Sequence, residues 1–125
     1  MLDFKNIFIE DLSRDTVGNV FFSSIALRNI LNKNSQLIWV SNDFHLNRIE
    51  IIVKACAPYI TSQNLYAGAP DHVSSDVMGR ILKDECNSLA RFQHDLLNSS
   101  SIEELIFLKY DLYSIRRLQD GFRKN

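Results

Sequence analysis

Asp43, His45 and Arg48 lie close together in the stretch LIWVSNDFHLNR, residues 37–48. A carboxylate, an imidazole and a guanidinium fork at the opening of a helix can hold a phosphate or carboxylate. A second polar group precedes them in IEDLSRDTVGN, residues 9–19, with Glu10, Ser13, Asp15, Thr16 and Asn19. Thr16 and Asn19 are three apart, as are His45 and Arg48, so on a helix each pair faces one way. Ser41 adds a hydroxyl at the end of the apolar run LIWV. Each of these residues also has a purely structural role open to it. Asp15, Thr16 and Asp43 are good helix caps, Glu10 is a charge at a strand end, His45 a surface side chain, and Arg48 a solvated residue or a partner for Asp43. Asp43 and His45 have no third ligand at diagnostic spacing, so no metal site is expected. Dinucleotide-binding, P-loop and nucleophile-elbow motifs are absent from the sequence.

The elements that must position these residues follow from the apolar pattern. Residues 7–10 (IFIE) and 37–41 (LIWVS) are short apolar runs that predict strands, and 64–69 (NLYAGA) predicts a third, weakened by Gly68 and by Pro70 beyond it. Three- and four-residue spacing predicts helices over 16–32, 46–57 and 75–97. Pro58 stops the second. Ser101 and Glu104 have capping-box spacing ahead of a last helix over 102–118. The order β-α-β-α-β followed by helices implies an α/β fold of the Rossmann-like, three-layer kind, with about three parallel strands in a single domain over 1–125. In such sheets ligands bind at the carboxyl ends of the strands, where both polar groups fall. The run 37–41, apolar except for its last residue, reads as a strand covered on both faces.

Composition narrows the function. The net charge is −1, from 14 basic and 15 acidic residues, which gives no electrostatic footprint for nucleic acid or an anionic membrane. Apolar runs stop at four or five residues, far short of the roughly 20 that span a bilayer. The opening residues lack the basic and apolar regions of a signal peptide, so a cytoplasmic protein is expected. Cys56 and Cys86 are 30 residues apart with no Cys-x-x-Cys pair, and both are expected as buried free thiols.

Two blocks together resemble a known family. IFIEDLSRDTVGNVFFS, residues 7–23, looks like the I-x-x-E-x-x-S-x-(D/N)-T-x-x-N segment of the DUF218 family (YdcF/SanA-like proteins). WVSNDFHLNRIEII, residues 39–52, looks like that family's V-T-S-D-(F/Y)-H-M-x-R-A segment. Carried over by position, the family's polar set falls on Glu10, Ser13, Thr16, Asn19, Ser41, Asp43, His45 and Arg48. Ser41 stands for the usual Thr, Asn42 for Ser, Leu46 for Met, and Ile49 for a small residue. Family members also begin with a V-V-L-G-x-G strand and turn and a later S-G-G turn. The resemblance therefore covers the family's C-terminal half and implies a domain without the glycine-rich half.

That resemblance implies a small-molecule ligand that is nucleotide-like or phosphate-bearing, with S-adenosylmethionine as a candidate cofactor. Arg48 would hold an anion, and His45 would serve as acid or base, oriented by Glu10 or Asp43. Ser13, Thr16, Asn19 and Ser41 would complete the binding set. A different class of function is a non-catalytic, truncated module. It would pair through an exposed sheet edge with a second copy or a complementing chain.

Overall fold

A computed structural model describes residues 7, 9–13, 15–57, 60 and 62–109. Helix α1 (Thr16–Leu27) begins where the Asp15 carboxylate accepts from the Gly18 amide at 2.8 Å. It ends five residues before the expected 32. The Leu27 carbonyl closes a turn by accepting from Ile30 and Leu31, each at 2.9 Å. Asn32 then accepts from the Asn34 amide at 2.8 Å while its own amide donates to the Ser35 hydroxyl at 3.1 Å. Short polar side chains offer the backbone these local partners, and the helix stops.

Strand β1 (Gln36–Asn42) pairs in parallel with β2 (Gln63–Ala69), in unbroken register from Gln36 opposite Gln63 to Asn42 opposite Ala69. Helix α2 (Asp43–Cys56) connects them. It starts three residues earlier than expected, so Asp43 and His45 are helical residues rather than parts of a turn. Asn42 takes the cap position without a side-chain bond. Helix α3 (Ser75–Leu97) has the expected bounds, with Ser74 accepting from the Val77 amide. Helix α4 (Ile102–Glu104) opens on Ser101, which accepts from the Glu104 amide at 3.0 Å. Glu104 in return accepts from the amide and hydroxyl of Ser100. A π-helical turn, Leu105–Lys109, follows, and the remainder of the expected 102–118 helix lies outside the described residues.

The described fold is α/β with a two-stranded parallel sheet. Of the run expected as a first strand, Ile7, Ile9 and Glu10 have irregular backbone, and Phe8 lies outside the described residues. The Glu10 carboxylate accepts from the amides of Leu12 (2.5 Å) and Ser13 (2.9 Å), which turns the chain over residues 10–13, beyond the end of that run.

Helix α2 touches α1, α3 and both strands, and its stripe Ile49, Ile52, Val53 and Cys56 is the middle of the core. Val17, Val20 and Phe21 come from α1, Phe92 from α3, and Leu105 and Ile106 from the π-turn. Phe21 meets Phe107 edge-to-face with centroids 6.0 Å apart. On the sheet, Trp39 and Tyr66 pack toward this core. The opposite face is bare among the described residues, with Ile38 56% and Val40 73% exposed. The expectation that β1 is covered on both faces fails, because the described helices α1, α2 and α3 are joined through α2 on one side. Helix α3 likewise buries only Phe92, and its Leu82 and Leu97 are exposed. No helix among the described residues is long and apolar enough to cross a membrane.

Gly68 sets how closely α2 approaches the sheet. A Cβ there would lie 1.7 Å from Asp43 Oδ1 and 2.8 Å from Leu46 Cδ1. The glycine read from sequence as a weakness in β2 is thus the space for the first turn of α2. Gly68→Ala is expected to lower stability by about 1–2 kcal/mol through overpacking. Adding Asp43→Ala should recover much of that loss in chemical denaturation. An unchanged midpoint for Gly68→Ala alone would contradict the close approach.

Candidate functional site

A groove of about 400 Å³ lies between α1 and β1. It is lined by Thr16, Asn19, Val20 and Ser23 from α1, by Trp39, Val40 and Ser41 from β1, and by His45 and Ile49 from α2. Successive strand side chains point to opposite faces. Three consecutive residues of β1 can therefore line one groove only along the edge of the strand. No β2 residue takes part, and β2 occupies the other edge of β1. The groove thus follows the edge of β1 that is unpaired among the described residues, to its carboxyl end.

Four of the sequence-derived site residues, Thr16, Asn19, Ser41 and His45, meet in this groove. Two more are attached to its rim. Ser13 bonds to both the Glu10 carboxylate and the Asn19 amide group. A hydroxyl has one proton, so Ser13 shares its donation between the Glu10 carboxylate and Asn19 Oδ1. Burial pushes the Glu10 carboxyl up, but hydrogen bonds from the Ser13 side chain and the Leu12 and Ser13 amides hold it below its ordinary value.

Asp43 and Arg48 do not line the groove. Asp43 stands at the first turn of α2 above Gly68. The pairing of Arg48 with Asp43 considered from sequence is corrected by the structure, because Arg48 reaches across to α3. Its guanidinium donates from Nε to Glu85 Oε2 at 2.7 Å and from Nη2 to Glu85 Oε1 at 2.9 Å. The reason is spacing along α2. Arg48 faces α3, whereas Asp43 is held over the strand end.

Glu85 also receives His45, whose Nδ1 lies 2.9 Å from Oε1. Arg48 Nη2 also lies 3.2 Å from Nδ1, so this ring nitrogen sits between a carboxylate acceptor and a guanidinium donor. Nε2 has no hydrogen-bond partner among the described residues. The carboxylate that orients His45 is therefore Glu85, neither Glu10 nor Asp43 as expected. Burial pushes the Glu85 carboxyl up, but the bonds and charges of Arg48 and then of His45 outweigh it, and the net direction is down.

Sequence reasoning missed Glu85, Ser23 and Trp39. Ser23 was within reach, since it lies four residues beyond Asn19 on the same helical face. Glu85 carries no local signal, because only the packing of α2 on α3 brings it to Arg48. The cysteines offer no nucleophile here. Cys56 is buried, and that burial, with the charge of Asp15 adding to it, pushes its thiol up to about 12. Cys86 is exposed, against the expectation of two buried thiols. Among the described residues no cluster of three metal-ligating side chains occurs.

A Glu85 carboxyl held below its ordinary value of 4.5 stabilises the fold above that pH, and the stability falls as acid protonates the native carboxylate. Arg48→Ala should cost about 2 kcal/mol at neutral pH. Glu85→Gln should flatten the acid side of the stability profile below pH 4.5, as followed by urea titration at stepped pH. An unaltered acid limb in Glu85→Gln would contradict the role of the pair. The chain matches no family model, no curated protein and no solved structure.

Proposed function

We propose that the chain is a Rossmann-like ligand-binding domain similar to the DUF218 family, with its ligand at the carboxyl end of β1. The observation that carries this reading is the convergence of Thr16, Asn19, Ser41 and His45 on one groove. The resemblance and strand-end topology single out the same four residues. A pocket with a few convergent polar groups is the usual form of a small-molecule site.

Among the described residues, no aspartate, glutamate, lysine or arginine lines the groove. The ligand portion it suits is an uncharged one rich in hydroxyl and amide groups, such as the sugar and base of a nucleoside. S-adenosylmethionine fits this donor set through its adenosine part, which Thr16, Asn19, Ser23 and Ser41 would hold by hydrogen bonds. Bound there, it would supply a transferable methyl group. In this reading His45 is the acid or base, and Glu85 is its positioning residue. Arg48 acts through Glu85 and leaves the anion-holding role that the resemblance implies. The Rossmann-like sheet of this reading needs a third parallel strand beside β1.

Thermal-shift and calorimetric titration with adenosine, S-adenosylmethionine and sugar phosphates tests the assignment. At least one nucleoside compound should raise the melting midpoint. His45→Ala and Ser41→Ala should weaken its binding at least tenfold, while Asp43→Ala should not. Equal binding by the wild type and both groove variants would overturn the proposal.

A second reading, an interaction module that pairs with another chain, is favoured by the unprotected sheet. Neither strand carries a charged residue, a proline or a bulge, the devices that normally blunt an edge. It predicts concentration-dependent dimers or larger species in light scattering. A monomer throughout the micromolar range would count against it.

A further inference from the structure

We infer that Trp39 is the specificity-determining residue of the groove, a stacking surface that restricts its ligand to molecules joining a planar heteroaromatic ring to a hydroxylated portion. The inference rests on the ligand reading above and narrows it. Hydroxyl and amide groups alone accept a free sugar as well as a nucleoside, whereas an indole wall does not treat the two alike.

The groove has two levels. Trp39 and Ser41 are two apart on β1, so their side chains leave the same face of the strand, about 6–7 Å apart along it. His45 and Ile49 are about one turn apart on α2, roughly 6 Å along that helix. Helix α2 crosses back from the carboxyl end of β1 toward the amino end of β2. Ser41 and His45 therefore share the level at the strand end, and Trp39 and Ile49 share the level below it. The first offers a hydroxyl and an imidazole. The second offers an indole and an aliphatic chain.

The indole presents carbon to the groove. Its single polar atom, Nε1, donates to Asn64 Oδ1 of β2 at 3.0 Å, and no β2 residue lines the groove. That bond fixes the orientation of the ring and leaves its π-system as what Trp39 has for a ligand. No other ring uses it among the described residues. Their aromatic contacts join Phe21 to Phe22 and to Phe107, and Phe44 to His45, without Trp39. A half-buried tryptophan at a groove wall, with its N–H satisfied elsewhere, suits a stacking platform. A base resting on it would place its sugar one level up, against Ser41 and His45. Every base has a π-face, so stacking selects base-bearing compounds as a class rather than one base. A sugar phosphate has no ring for Trp39 to hold.

Trp39 is the chain's only tryptophan, so its emission reports on the residue itself. Adenosine, methyl riboside and ribose 5-phosphate are titrated separately and followed by Trp39 fluorescence and calorimetry. Adenosine should quench Trp39 saturably and bind about tenfold or more tightly than the riboside, which should bind without comparable quenching. Trp39→Leu should remove that advantage and leave riboside binding as it was, and Trp39→Phe, which keeps a ring, should recover part of it. Asn64→Ala alters no groove residue, and by releasing the indole it should weaken adenosine several-fold. It serves as the second variant if far-UV circular dichroism shows Trp39→Leu to be unfolded. Adenosine binding without quenching, or equally tight binding to the wild type and Trp39→Leu, would overturn the inference. Binding of the riboside or the sugar phosphate as tightly as adenosine would also overturn it, with the ligand reading left standing. Absence of binding by all three compounds would overturn both.

Discussion

Parallel pairing of β1 with β2 is the constraint from which the rest of the structure follows. A parallel pair cannot be closed by a tight turn, so a helix must cross over from the end of one strand to the start of the next. Here α2 does so, and its buried stripe Ile49, Ile52, Val53 and Cys56 then organises α1, α3 and the π-turn around it. The crossover begins without a spacer, since Asn42 is both the last residue of β1 and the cap of α2. That tight handover sets Asp43 over Gly68 and His45 beside the strand end. It also leaves the second edge of β1 to face α1, and the groove is the consequence.

Charge within the site is governed by one interaction, the two-pronged bond of Arg48 to Glu85. A fork matched to a carboxylate is the strongest ordinary ion pair, and here both groups are largely screened from water. The guanidinium is thereby committed to Glu85, and the polar groups that the described residues bring to the groove are hydroxyl, amide and imidazole. The same carboxylate receives His45, whose Nδ1 also lies 3.2 Å from Arg48 Nη2. An arginine that sequence reading assigns to an anion thus shapes the site indirectly, by holding the group that holds the histidine.

The sequence made the elements from α1 to α3 legible because their signals are local. Asp15 and Ser74 cap as their side chains predict, and α3 runs over the predicted residues. The start of α2 was misread because Asp43 and His45 are polar, and a polar stretch after a strand looks like a turn. Exposure was harder to read. An apolar run such as LIWV signals burial on both faces, yet Ile38 and Val40 face outward because no described element lies across that side of the sheet. Convergence of Thr16, Asn19, Ser41 and His45 was legible from strand-end topology. The roles of Glu85 and Gly68 were not, since each depends on how α2 lies against another element.

Residue-resolved amide hydrogen exchange over Gln36–Asn42 tests the free edge of β1 most directly. In a parallel strand, alternate amides point to opposite edges. The account predicts two classes. The amides directed at β2 should exchange only on global unfolding, and those directed at the groove should exchange through a local opening of lower free energy. A single class, with all amides of β1 equally protected or equally fast, would contradict it.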